Sequence, residues 1–77
     1  MISRSDDVVA TIQVNGEARG VCEGQTVTAL LLELDIRVDR VAVELNLEIL
    51  DRSDFDTRGL REGDRVEILS FIGGGAG

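Results

Sequence analysis

The residues best suited to chemistry are the glycines that follow the last strand-like segment of the chain. An alternating segment, residues 64–70, predicts a strand, and Phe71, Ile72 and the run Gly73-Gly74-Gly75-Ala76-Gly77 come directly after it. Glycine packs no core and loses the most backbone entropy on ordering, so we expect residues 73–77 to be a flexible tail. A tail without bulky side chains can enter a narrow channel, where the terminal carboxylate itself can react. The competing interpretation is a disordered end without a role, which is common for chain termini.

The composition argues against an autonomous enzyme. The 77 residues suffice for one small domain, and 43% of them are hydrophobic and 30% charged, as in globular proteins. The chain contains no His and no Lys, so the commonest general bases and amine nucleophiles are absent. We therefore predict no catalytic residue in the chain itself. The net charge of −7 disfavours nucleic acid and favours a protein partner with a basic surface.

The same inventory predicts a cytoplasmic protein. The longest apolar stretch, residues 29–32, is far too short to span a membrane. Residues 1–7 have no apolar core, so we expect a disordered extension rather than a signal peptide. A single cysteine excludes an internal disulfide and fits a reducing compartment.

The acidic residues between positions 51 and 62 are the candidate metal ligands in the sequence. Asp51 and Glu62 have the spacing of the first and twelfth positions of a calcium loop. However, Phe55 takes a ligand position and Asp56 replaces the required glycine. We expect a solvated acidic loop and no metal site.

The remaining pattern predicts strand, strand, helix, strand, short strand, strand. Residues 8–14 alternate, and Asn15-Gly16 is the strongest short signal for a hairpin. Two hairpin registers are possible. A two-residue loop would place Arg19 opposite Ile12, whereas a loop that includes Glu17 would place Ala18, Gly20 and Cys22 toward the core. The second register is preferred because it leaves Arg19 in water, and it predicts a buried Cys22.

Helical spacing after Thr26, a predicted N-cap, places one apolar face against the sheet. The residues predicted to face the core are Val27, Leu30, Leu31, Leu34, Val41, Val43, Leu45, Phe55, Val66 and Ile68. Strand pairs on either side of one helix imply an α+β domain over residues 1–72. We expect a mixed sheet of four to five strands packed against one helix.

Leu69, Phe71 and Ile72 are predicted to form a docking surface. If Val66 and Ile68 point into the core, Leu69 and Phe71 point to the opposite face of the sheet. Apolar residues on an open face beside a glycine tail are typical of a surface that binds a partner.

Several segments of the chain, in order, resemble the ThiS family, the sulfur carriers of bacterial thiamine biosynthesis. The resemblance covers residues 8–75, and the segments are Val14-Asn15-Gly16-Glu17, Glu23-Gly24-Gln25-Thr26-Val27, Val41-Ala42-Val43-Glu44-Leu45-Asn46, Glu62-Gly63-Asp64-Arg65-Val66-Glu67-Ile68 and the ending Phe71-Ile72-Gly73-Gly74-Gly75. Leu47 departs from the family, whose members often have a small or polar residue in that turn.

The resemblance implies a ubiquitin-like β-grasp fold and a covalent role for the tail. A ThiF-type adenylyltransferase would adenylylate the C-terminal glycine with ATP and Mg, and the carrier itself would bind no cofactor. Sulfur delivered from cysteine by a cysteine desulfurase would then give a thiocarboxylate, which donates sulfur to a ThiG-type thiazole synthase. Gly75 would be the acceptor, with Gly77 as the alternative, and Gly73 and Gly74 would thread the partner's active site.

Family members commonly stop at the glycines, so Ala76-Gly77 would have to be trimmed if Gly75 is the acceptor.

Two alternatives to the thiamine function stay open. The same fold also serves molybdopterin and cysteine synthesis. A non-covalent β-grasp interaction module is the alternative from a different class.

Overall fold

Alternating apolar side chains build a five-stranded mixed sheet that packs against one helix within residues 9–70, the part described by this computed structural model. The elements are β1 (Val9–Val14), β2 (Glu17–Cys22), α1 (Val27–Glu33), β3 (Val41–Leu45), β4 (Glu48–Leu50) and β5 (Arg65–Ser70). The sheet order is β2-β1-β5-β3-β4, with β1 parallel to β5 and the other neighbours antiparallel. This confirms the predicted α+β class and element order. The predicted extension, residues 1–7, and residues 71–77 lie outside the described part.

The core lies between α1 and one face of the sheet, as the alternation predicted. The buried apolar residues are Ala10, Ile12, Val21, Val27, Leu30, Leu31, Val41, Val43, Leu45, Phe55, Leu60 and Val66. Full burial of a side chain of this size contributes about 1.5–3 kcal/mol. The predicted N-cap is confirmed, because the Thr26 hydroxyl accepts the backbone N–H of Ala29 at 3.1 Å. No helix in residues 9–70 is long and apolar enough to cross a membrane.

The predicted register of the first hairpin is wrong. The observed pairs are Val14 with Glu17, Ile12 with Arg19 and Ala10 with Val21. Asn15 and Gly16 alone form the loop, with φ of 50° and 88° as a type I′ turn requires. A shift of one residue exchanges the two faces of a strand. Val21 is therefore buried, while Cys22, predicted in the core, is exposed.

The physical reason is that Arg19 does not need to leave the core side of the sheet. Its strand β2 is an edge strand, so a long side chain on that face reaches the surface. The guanidinium of Arg19 lies 3.6 Å from the carboxylate of Glu33 at the end of α1. The aliphatic part of Arg19 thus covers the core margin while its charge is paired with the helix.

The carboxamide of Asn15 extends the pairing of the central strand β5 beyond the end of β1. The β1–β5 register ends at Val14 and Val66, where β1 turns into the hairpin. Asn15 Oδ1 then accepts the N–H of Ile68 at 2.7 Å, and Asn15 Nδ2 donates to the Ile68 carbonyl at 3.5 Å. The side chain occupies the place of the next strand residue and holds the last part of β5 in line.

Asn46 holds the beginning of β5 from the opposite edge. Its Oδ1 accepts the N–H of Arg65 at 2.9 Å, and its Nδ2 donates to the Asp64 carboxylate at 3.0 Å. Asp64 is buried, and it also accepts the N–H of Arg61 at 2.9 Å and lies 3.6 Å from the guanidinium of Arg58. A buried carboxylate is tolerated only with such partners.

Leu47 adopts an unfavourable backbone conformation in the second hairpin. Asn46 and Leu47 have φ of 54° and 74°, and the strands pair from Leu45 with Glu48 onward. The left-handed region suits asparagine and glycine but costs a residue such as leucine about 1–2 kcal/mol. Leu47 gains little in return, because its side chain is 70% exposed.

Replacing Leu47 with glycine is expected to stabilise the protein. Leu47→Gly removes the Cβ clash of the left-handed conformation and should raise the free energy of unfolding by about 1 kcal/mol. Urea denaturation measures the change. Leu47→Ala is the control, because alanine keeps a Cβ, and it should leave the stability within about 0.5 kcal/mol. Equal stability of the glycine and alanine variants would contradict a strained turn.

Removing the Asn15 carboxamide is expected to loosen the end of β5. Asn15→Gly keeps the positive φ but removes both contacts with Ile68, so exchange of the Ile68 amide should accelerate by at least about fivefold. Hydrogen exchange by NMR measures this rate. Asn15→Asp retains the acceptor and should preserve most of the protection. Unchanged protection in Asn15→Gly would show that the carboxamide does not hold the strand.

Candidate functional site

The candidate site is the surface around the end of β5, because the predicted reactive tail follows this strand. The predicted acceptor and threading glycines and two docking residues lie outside residues 9–70: Phe71, Ile72, Gly73, Gly74, Gly75 and Gly77. Their roles stay predictions. Leu69 is the one predicted site residue within the described part, and its surroundings define the site.

Leu69 belongs to a small apolar patch on the face of the sheet that points away from α1. Leu69 is 45% exposed and pairs with the half-buried Ala42 on β3. Ile49 on β4 is 66% exposed, and it lines one shallow hollow together with Ala42. These three residues, Ala42, Ile49 and Leu69, form the open-face patch. The orientation of Leu69 is the one that its alternation with Val66 and Ile68 predicted.

The contribution of Ile49 was missed in the sequence. The pattern predicted a short strand around this residue but did not assign its face. The signal that could have placed it is the turn at Asn46 and Leu47, because a two-residue loop puts Ile49 opposite Glu44. Because Val43 and Leu45 were predicted to face the core, alternation places Glu44 between them on the outward face, and Ile49 shares that face.

Two carboxylates lie directly beside the open-face patch. Glu44 on β3 pairs with Glu67 on β5, in the row next to Ala42 and Leu69. Both glutamates are half-buried. Among residues 9–70, neither of them makes an ion pair or a side-chain hydrogen bond, although Arg65 lies on the same face of β5. The face therefore combines an apolar patch with two carboxylates that form no ion pair within residues 9–70.

A second feature at the end of β5 is a hollow of about 440 Å³ on its other side. Its apolar lining includes Ile36, Val41 and Ile68, with arginines at the rim. Arg37 at this rim is hydrogen-bonded to Asp39 at 3.3 Å, and this bond holds the pKa of Asp39 below its usual value. The hollow provides apolar space next to the root of the tail.

The acidic loop between positions 51 and 62 uses its carboxylates for structural contacts. Asp56 accepts a hydrogen bond from the Thr28 hydroxyl at 2.5 Å, and Glu62 accepts the N–H of Thr11 at 2.9 Å. Across the described residues, no group of three or more His, Cys, Asp or Glu side chains is arranged to hold a metal ion. These contacts connect the loop to α1 and β1.

Comparison with known proteins places the chain among sulfur carriers. The model of the ThiS family matches residues 11–75. The sulfur carrier protein ThiS of Thermus thermophilus is 38% identical over 64 residues, which cover 83% of this chain and 98% of that protein. The crystal structure of the thiamine biosynthesis protein ThiS from Geobacter metallireducens superimposes with a TM-score of 0.69 at 39% identity. That similarity covers 79% of this chain and 93% of the other.

Relatives of a second kind are larger. A thiazole synthase of Paramagnetospirillum magneticum is 46% identical over 63 residues, which cover 82% of this chain and 19% of the synthase. The chain thus spans about a fifth of the length of the thiazole synthases that it matches. The family match, the full-length carriers and the shared five-stranded fold agree with each other. The chain therefore belongs to the ThiS family of sulfur carrier proteins.

Proposed function

We propose that the chain carries sulfur for thiazole formation in thiamine biosynthesis as a thiocarboxylate on the C-terminal carbonyl of Gly75. The observation that carries this proposal is the family match, which extends through the glycine run and ends at Gly75. This end favours Gly75 over Gly77 as the acceptor, so Ala76 and Gly77 would be removed before activation. The central position of β5 supports the proposal, because the tail follows a strand that is paired on both of its edges.

The proposed reaction begins at the terminal carboxylate, which is a poor electrophile. The carboxylate attacks the α-phosphate of ATP in a ThiF-type adenylyltransferase that uses Mg, and an acyl-adenylate forms with release of pyrophosphate. A persulfide on a partner protein, charged from cysteine by a cysteine desulfurase, then attacks the carbonyl carbon and displaces AMP, which gives an acyl disulfide. A second thiol of the partner attacks the partner's own sulfur of that disulfide, so the S–S bond breaks, the thiocarboxylate is released and the two partner thiols form a disulfide. The absence of His and Lys from the chain fits this scheme, because every acid and base can belong to the partners.

The acceptor of the sulfur is proposed to be a ThiG-type thiazole synthase. The similarity of this chain to part of a thiazole synthase supports a functional link between the two proteins. The ThiS match favours this pathway over molybdopterin or cysteine synthesis. We expect the reaction to take place in the cytoplasm, where the single cysteine would stay reduced.

Intact mass spectrometry tests the proposed function. The chain ending at Gly75, incubated with the activating enzyme, ATP, the desulfurase and cysteine, should gain about 16 Da as oxygen is replaced by sulfur. Fragmentation should place the gain on Gly75. The form that ends at Gly77 should gain nothing unless it is trimmed first. Gly75→Trp is the control, because it keeps the domain but should not fit the active site, and a gain in that variant would refute the proposed acceptor.

The docking role of Leu69 and its neighbours gives a second prediction. Leu69→Asp places a charge in the open-face patch and should weaken binding to the activating enzyme or the synthase by at least about fivefold. Phe71→Asp should act in the same direction. Calorimetric titration measures the affinity, and circular dichroism verifies the fold.

Leu32→Asp is the matched control for this experiment. Leu32 lies on α1, on the other side of the molecule, and is 68% exposed. The Leu32→Asp variant should bind both partners with the affinity of the unmodified chain. Equal affinity of the Leu69 and Leu32 variants for both partners would remove Leu69 from the docking surface.

A further inference from the structure

The pairing of Glu44 with Glu67 is unfavourable for the isolated domain. Like charges directly opposite each other on neighbouring strands destabilise a sheet. The two residues lie on β3 and β5, near the middle of the five-stranded sheet, and both are half-buried. Partial burial reduces the screening of their repulsion by water and salt. Within residues 9–70, neither carboxylate forms an ion pair that would offset this repulsion.

The location of this pair connects it with recognition. On β5, Glu67 and Leu69 are successive residues of the open face, and on β3, Glu44 and Ala42 are their respective partners. Ile49 lies opposite Glu44 on β4. The two carboxylates and the open-face patch thus form one continuous surface on three adjacent strands.

We propose that this surface binds a protein partner that places a cationic side chain, an arginine or a lysine, between Glu44 and Glu67 and an apolar side chain on the open-face patch. The inference rests on the proposed function, because the partner is the activating enzyme or the synthase. Charge complementarity selects this occupant over a second copy of the chain, since two molecules with a net charge of −7 repel each other. The partner's cation relieves the repulsion that the free domain retains.

This assignment predicts effects of opposite sign on stability and on binding. Glu67→Gln and Glu44→Gln are nearly isosteric, and each should raise the melting temperature because each removes the repulsion. Each should also weaken partner binding by roughly two- to fivefold, the range for one exposed ion pair. The loss should shrink in about 1 M salt, where charges are screened within a few ångströms.

Glu17→Gln is the matched control, because it changes the net charge by the same amount. Glu17 is exposed on β2 and pairs with Val14 on the other face of the sheet. The loss of affinity in Glu17→Gln measures only the long-range electrostatic attraction between the chain and its partner. The losses in Glu44→Gln and Glu67→Gln must be larger than that loss. Calorimetry with each partner and thermal unfolding of each variant supply the two readouts.

Three results would overturn the inference. One is that Glu44→Gln and Glu67→Gln bind both partners with the same affinity as Glu17→Gln. Another is that these two variants have a lower melting temperature than the unmodified chain. The third is that sedimentation shows self-association that Glu67→Gln abolishes, which would make a second copy the occupant. Failure of the proposed function is distinguishable, since the unmodified chain would then neither gain sulfur mass nor bind the partners.

Discussion

Backbone pairing of β5 on both of its edges holds the two halves of the sheet together. The two hairpins, β1–β2 and β3–β4, do not pair with each other, and β5 lies between them. Asn15 and Asn46, each in a left-handed turn conformation, direct their carboxamides to the backbone of this strand. One residue type therefore both reverses the chain and continues the hydrogen bonding, which leaves β5 fixed up to the point where the tail begins.

Most of the fold could be predicted from local patterns, because the elements are short and strongly periodic. The Asn15-Gly16 turn, the cap at Thr26 and the inward residues of α1 and β3 all depend on neighbours in the sequence. The hairpin register could not be predicted in this way. The Asn15-Gly16 turn favours the observed register, but whether Arg19 can lie on the core face depends on β2 being an edge strand, which only the complete sheet order reveals.

The part of the candidate site that depends on one strand was predictable, and the part that depends on pairing between strands was not. Alternation along β5 was sufficient to place Leu69 on the open face, since it requires only the inward orientation of Val66 and Ile68 on the same strand. The juxtaposition of Glu44 with Glu67 on one side and with Ile49 on the other is a property of three strands in register. Residues 23 positions apart become opposite neighbours through pairing that no local pattern specifies. Surfaces of this kind become visible only once the sheet is assembled.

The position of β5 also has a consequence for biosynthesis. A ribosome delivers both hairpins and the helix before it delivers the strand that joins them, so native pairing across the sheet must wait for residues 65–70. Contacts between β1 and β5 span about fifty residues, the long-range kind that slows folding. A chain interrupted before β5 would keep two hairpins with exposed edges, a substrate for proteases and chaperones. Completion of the domain and emergence of the segment proposed to react are thereby coupled during translation.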